Sequence, residues 1–147
     1  LTVTGVQTCA LPILLHGTDP VADLEVTPAN LRLQLEREVR GKLAQLRRGV
    51  FLAADRPGDL GRLLLGAAPS IASHLRALLR LAGGPVPGTT PEVARAACSR
   101  LAVKPEAFLE LWTGRDRPEA FQPSDACTDG IFDLLRRTAA YVDHWEG

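Results

Sequence analysis

Few side chains in this 147-residue chain could carry chemistry. Its switchable groups are His16, His74 and His144, with Cys9, Cys98 and Cys127. None stands in a paired ligand spacing such as Cys-x-x-Cys or His-x-x-x-His, so no metal site is expected. Spacing alone leaves open a Cys127–His144 nucleophile pair. A structural or exposed thiol is the simpler reading, because reactive cysteines need an electropositive surrounding. No Gly-x-Ser-x-Gly, Walker loop or Gly-x-Gly-x-x-Gly occurs. The sharpest pair is Arg137 and His144, seven positions or two helical turns apart. On one helix face they could polarise a phosphate and shuttle a proton. The plainer alternative is a solvated arginine and a helix-end histidine favoured by the macrodipole. A second cluster is basic. Arg32, Arg37, Arg40, Lys42, Arg47 and Arg48 face only Glu36 and Glu38 between positions 32 and 48. Arg37, Arg40, Lys42 and Arg47 are the candidate phosphate- or RNA-binding residues, with a solvated helix face as the alternative.

The elements that would position these groups are helices. Thr27 is a good N-cap and Pro28 fits the first helical position. Leu31, Leu35, Val39, Leu43, Leu46 and Val50 then recur at spacings of three and four, predicting a helix from Pro28 to about Ala53. Arg56-Pro57-Gly58-Asp59 should end it. A second helical region, Asp59 to Leu81, is leucine-rich enough to be largely buried. Pro69 should kink it or open a new helix. Gly83-Gly84-Pro85 is a strong stop. Thr90-Pro91 starts a helix to about Leu101, with Cys98 a small core residue. Lys104-Pro105 starts a short helix ending at Gly114. Ser124 or Asp125 caps a last helix carrying Ile131, Leu134, Leu135, Thr138, Tyr141, Val142 and Trp145 inward. The expected fold is all-α, a bundle of five or six helices over residues 27–147.

Composition narrows the function classes. Seventeen basic and seventeen acidic residues leave no net charge, so no whole-surface attraction to nucleic acid or membrane is implied. No apolar run reaches the roughly 20 residues that span a bilayer. An odd cysteine count is no disulfide framework and points to reduced thiols in the cytoplasm. Methionine is absent and the first residue is Leu, so the chain is expected to be a fragment.

Val3-Thr4-Gly5-Val6-Gln7-Thr8-Cys9-Ala10-Leu11-Pro12-Ile13 resembles, residue for residue, the conceptual translation of a short-read sequencing adapter. Residues 1–13 are therefore set aside as an artefact, the alternative being a strand-like or signal-like segment. Leu14-Leu15-His16-Gly17-Thr18-Asp19-Pro20 reads as a strand end and turn. Residues 14–26 would be the remnant of a last strand and a linker from a missing upstream domain.

From Leu14 onward, the chain resembles a bacterial and archaeal family of uncharacterised nucleotidyltransferase-like proteins. The likeness is carried by Leu15-His16-Gly17-Thr18-Asp19-Pro20, by Leu31-Arg32-Leu33-Gln34-Leu35-Glu36-Arg37-Glu38-Val39-Arg40-Gly41-Lys42-Leu43, by Leu46-Arg47-Arg48-Gly49, and by the helix from Pro69-Ser70 to Leu81. In that family a polymerase-β-like domain precedes a helical C-terminal domain. Its Gly-Ser turn and Asp-x-Asp pair hold Mg²⁺ and the nucleotide triphosphate. Neither motif occurs here. The resemblance thus implies the accessory helical domain, of metagenomic bacterial origin, with no catalytic residue or cofactor of its own. Its partners would be the missing N-terminal domain and a nucleotide or RNA. Separately, Arg137 and His144 are similar to the R-x4–6-H pair of the HEPN helical ribonucleases, which would imply a metal-independent ribonuclease. A regulatory helical module using the Leu60–Leu81 surface is the third expectation.

Overall fold

The computed structural model describes residues 26–53 and 55–146. The expected adapter-derived segment and strand remnant, with Cys9 and His16, lie outside the described residues. Among the described residues five α-helices follow in order: α1 (Pro28–Ala53), α2 (Pro57–Leu81), α3 (Thr90–Leu101), α4 (Glu106–Gly114) and α5 (Asp125–Asp143). A single 3₁₀ turn, Pro118–Ala120, lies between α4 and α5. No strand occurs among the described residues, and the all-α bundle expected from the periodicity is what forms.

Helix α1 starts as its sequence predicts, with Asn30 N–H donating to Thr27 Oγ1 at 3.2 Å. Its apolar stripe buries Leu35, Val39, Leu43 and Leu46. Helix α2 begins two residues earlier than expected. Pro57 opens it instead of ending α1, because the first helical position needs no N–H. The Asp59 carboxylate in that first turn pairs with Arg56 and Arg62.

Pro69 neither breaks nor restarts the helix, and α2 runs through it. An interior proline costs about 3 kcal/mol. Ala68, Ile71, Ala72, Leu75 and Leu78 around it are all buried, and a fully buried Leu or Ile returns roughly 1.5–3 kcal/mol. Packing therefore outweighs the local penalty. Helix α2 is the centre of the bundle, touching every other element. Most of its leucine surface is core, with Leu64, Leu65, Leu75, Leu78, Leu79 and Leu81 buried and Leu60 and Leu63 half-buried. The helix ends at Leu81, just before the predicted stop, where Gly83 has a φ of 69°, the left-handed geometry glycine tolerates.

The cap of α3 is Thr89, one residue before the expected Thr90. The Glu92 carboxylate accepts from Thr89 N–H at 3.3 Å and from its hydroxyl at 2.7 Å. Thr90 is buried instead and accepts from Arg76 Nη2 at 2.7 Å. Ser124 caps α5, its hydroxyl accepting from Cys127 N–H at 3.0 Å. Arg32 near the start of α1 donates to the carbonyls of Val142 and Asp143 at the end of α5. The two helices therefore run antiparallel, side by side.

Candidate functional site

The basic helix α1 has two flanks, and its cations divide between them. Toward α5, a cleft of about 370 Å³ is lined by Arg40, Leu43, Ala44 and Arg47 from α1, and by Arg136, Ala139, Ala140 and Asp143 from α5. Arg40 and Arg47 are seven residues apart, so helical periodicity stacks them on this flank. Arg136 and Asp143 have the same separation on α5. Arg40 Nη2 donates to both oxygens of Asp143, at 2.7 and 2.6 Å. It also pairs with Glu36 at 3.2 Å. The Asp143 partnership raises the Arg40 pKa further, and the same contact holds the Asp143 carboxyl below its ordinary value. Arg47 and Arg136 form no ion pair among the described residues. The floor between them is short and apolar.

Toward α2 the opposite holds. Lys42 Nζ donates to Gln45 Oε1 at 3.0 Å, and His74 Nε2 lies 3.9 Å from Glu38 Oε2. His74 is only 6% exposed and its Nδ1 has no hydrogen-bond partner among the described residues. Burial lowers the His74 pKa, outweighing the nearby Glu38 that raises it. This flank also holds a recess of about 370 Å³, lined by Leu31, Gln34, Glu38, Ser70, Ser73 and His74 among others.

The structure thus separates the four cations predicted to act together. Arg40 and Arg47 share the α5 flank. Lys42 lies on the α2 flank, and Arg37 is exposed on the outer face between them. Arg136 joins the cluster without having been foreseen. Its signal was its spacing: Arg136, Ala139, Ala140 and Asp143 fall at i, i+3, i+4 and i+7, a polar and small-residue stripe on α5.

Arg137 and His144 are both exposed. Arg137 Nε lies 3.8 Å from Asp133 Oδ1, one turn back on the same helix. His144 caps α5, its Nδ1 2.8 Å from the Ala140 carbonyl. The shallow recess beside His144 is lined by Tyr141, Trp145 and Glu146, and Arg137 is not part of it.

A Cys127–His144 nucleophile is ruled out by placement. Cys127 is buried at the start of α5 and His144 follows its end, about 25 Å apart along the helical rise. The Cys127 thiol donates to the Ala107 carbonyl at 3.4 Å, and burial pushes its pKa up to about 12. Cys98 is likewise a core residue, its pKa raised by burial to about 11. Both thiols are free. Among the described residues no three His, Cys, Asp or Glu side chains are grouped to hold a metal ion. None of the described helices is long and apolar enough to cross a membrane. The chain matches no protein-family model, no curated protein and no solved structure.

Proposed function

We propose that this bundle is an accessory, non-catalytic module: the C-terminal helical domain of a nucleotidyltransferase-like protein, with α1 turned toward the parent's substrate cleft. The observation that carries this reading is the unneutralised pair Arg47 and Arg136 beside Arg40, opening together into one cleft. A surface of that kind offers bidentate donors to phosphate oxygens, while its one lining carboxylate, Asp143, is held by Arg40. The resemblance of residues 15–20, 31–43 and 46–49 supplies the protein class.

On this reading Mg²⁺ and the nucleotide triphosphate belong to the upstream domain, which also becomes the principal partner. Leu33 and Phe51 on α1 are 57% and 81% exposed, flank the arginines along the helix, and would be covered by that domain. The free thiols Cys98 and Cys127 accord with a bacterial cytoplasm.

Long-read sequencing of the source DNA across the Leu14 codon tests the assignment. The expected result is an in-frame upstream domain containing Gly-Ser followed by Asp-x-Asp. An in-frame start codon directly before Leu14 contradicts it.

One observation favours a second reading, a ribonuclease using Arg137 and His144. The Ala140 carbonyl, which can only accept, orients the His144 ring through Nδ1 at 2.8 Å, so Nε2 is the nitrogen left to exchange a proton with a substrate. That reading requires RNA cleavage abolished by His144→Ala, and cleavage that is absent or unaffected rejects it.

A further inference from the structure

We propose that the α1–α5 cleft is a discrete phosphate-binding subsite, in which Arg47 and Arg136 receive a phosphate group and Arg40 exchanges its Asp143 partner for it. The proposal rests on the accessory-module reading only for the biological source of the phosphate. The cleft itself is argued from geometry.

The charge balance favours an anion. Arg40, Arg47 and Arg136 line the cleft, and Asp143 is its one acidic lining residue. Glu36 reaches Arg40 from one turn away but is shared with Arg32, at 3.6 Å. Arg32 is in turn engaged in capping α5 through the Val142 carbonyl at 3.0 Å. Two guanidinium groups are left without carboxylates, separated by Ala44, Ala139 and Ala140. Short side chains leave room for a tetrahedral oxyanion, and apolar surroundings strengthen charge-assisted hydrogen bonds to it.

The same lining restricts the ligand. Apart from the arginines and Asp143 it presents only Leu and Ala side chains, which offer no donors or acceptors for base edges. Recognition should therefore be of phosphate, indifferent to base identity. A nucleotide polyphosphate and an RNA backbone share that chemistry.

Asp143 gives the site an internal competitor. Its carboxylate holds Arg40 through both oxygens, as a bound phosphate would. Removing that charge should strengthen binding, which a merely basic surface would not show at this one position.

The test is equilibrium binding of the 147-residue chain and its variants to ATP and, separately, to a short oligouridine without terminal phosphates. Arg47→Ala and Arg136→Ala should each weaken binding at least about fivefold, and Arg37→Ala less than about twofold. Both cleft variants should keep the parent melting temperature, since neither arginine forms an ion pair among the described residues. Asp143→Asn should tighten binding more than Asp133→Asn, which removes the same charge beside Arg137 instead. Losses seen with ATP alone assign the subsite to a nucleotide, and losses seen with oligouridine assign it to RNA. Equal weakening by Arg37→Ala and Arg47→Ala overturns the discrete subsite while leaving the accessory module standing. Failure of the unmutated chain to bind either probe also overturns the subsite. The upstream gene sequence decides the module assignment independently.

Discussion

The two flanks of α1 use the same residue types to opposite ends. Toward α2, Glu38 lies by His74 and Lys42 is tied to Gln45. Toward α5, three arginines meet one carboxylate. One flank packs against the central helix, contains a buried imidazole and has no arginine lining its recess. The other is a seam with cations to spare. The helix as a whole carries six basic and two acidic residues, and that total hides the asymmetry. Net charge on a helix says little about a site until each charge is assigned to a flank.

Four perturbations break or sharpen this contrast. Leu46→Ala has the largest expected effect, because Leu46 is buried on the stripe between the flanks. It should cost about 2–5 kcal/mol in urea unfolding and loosen both sides together. Next is the double variant Arg47→Ala with Arg136→Ala, expected to weaken ATP or oligouridine binding by more than about tenfold, or ~1.4 kcal/mol. Its melting temperature should stay unchanged, confining the effect to the open flank.

Third is His74→Leu, which removes the unpartnered Nδ1 from the flank facing α2. At neutral pH it should stabilise the fold by about 1 kcal/mol, the lower end of the cost of a buried unsatisfied polar atom. It should also flatten the pH dependence. Burial holds the folded pKa of His74 below the ordinary histidine value of 6.5. In the window between the two, the unfolded chain binds the proton and the folded chain does not. Stability therefore falls as pH drops below about 6.5 and levels once the folded pKa is passed. Urea unfolding at a series of pH values should show that decline in the parent and a shallower one in the variant. Smallest is Asp143→Asn, a slight loss of thermal stability at the exposed α1–α5 pair, read by calorimetry.

Much of the bundle was legible from local signals. The Thr27-Pro28 start, the three-and-four leucine spacing of α1 and the Gly83 stop are set by backbone chemistry within a few residues. Errors arose where tertiary contacts decide. Pro69 reads as a kink or a new helix start because its cost is local, and the burial that keeps α2 continuous through it comes from the whole bundle. Thr89 is separable from Thr90 by the capping-box spacing to Glu92, which the Thr-Pro pair overshadowed, and the burial of Thr90 against Arg76 agrees with it.

The candidate site was half visible. Arg40 and Arg47 were two of the four cations that the basic run of α1 singles out. Lys42 could have been separated from them by helical angle alone, since two residues rotate about 200° around the axis. Arg136 was passed over because its neighbour Arg137 fitted a known motif with His144. The Glu38–His74 approach joins α1 to α2 across 36 positions, and nothing in the local sequence marks it.

The central claim is that cations on one flank of α1 form a phosphate site while those elsewhere on the helix do not. The most direct measurement is nitrogen–proton NMR of the arginine Nε–H groups during titration with inorganic tripolyphosphate. Arg47 and Arg136 should shift saturably along one binding curve, with Arg40 following as it leaves Asp143, while Arg37 and Arg48 stay nearly fixed. Small, unsaturable shifts spread evenly over all the arginines of α1 would contradict the account.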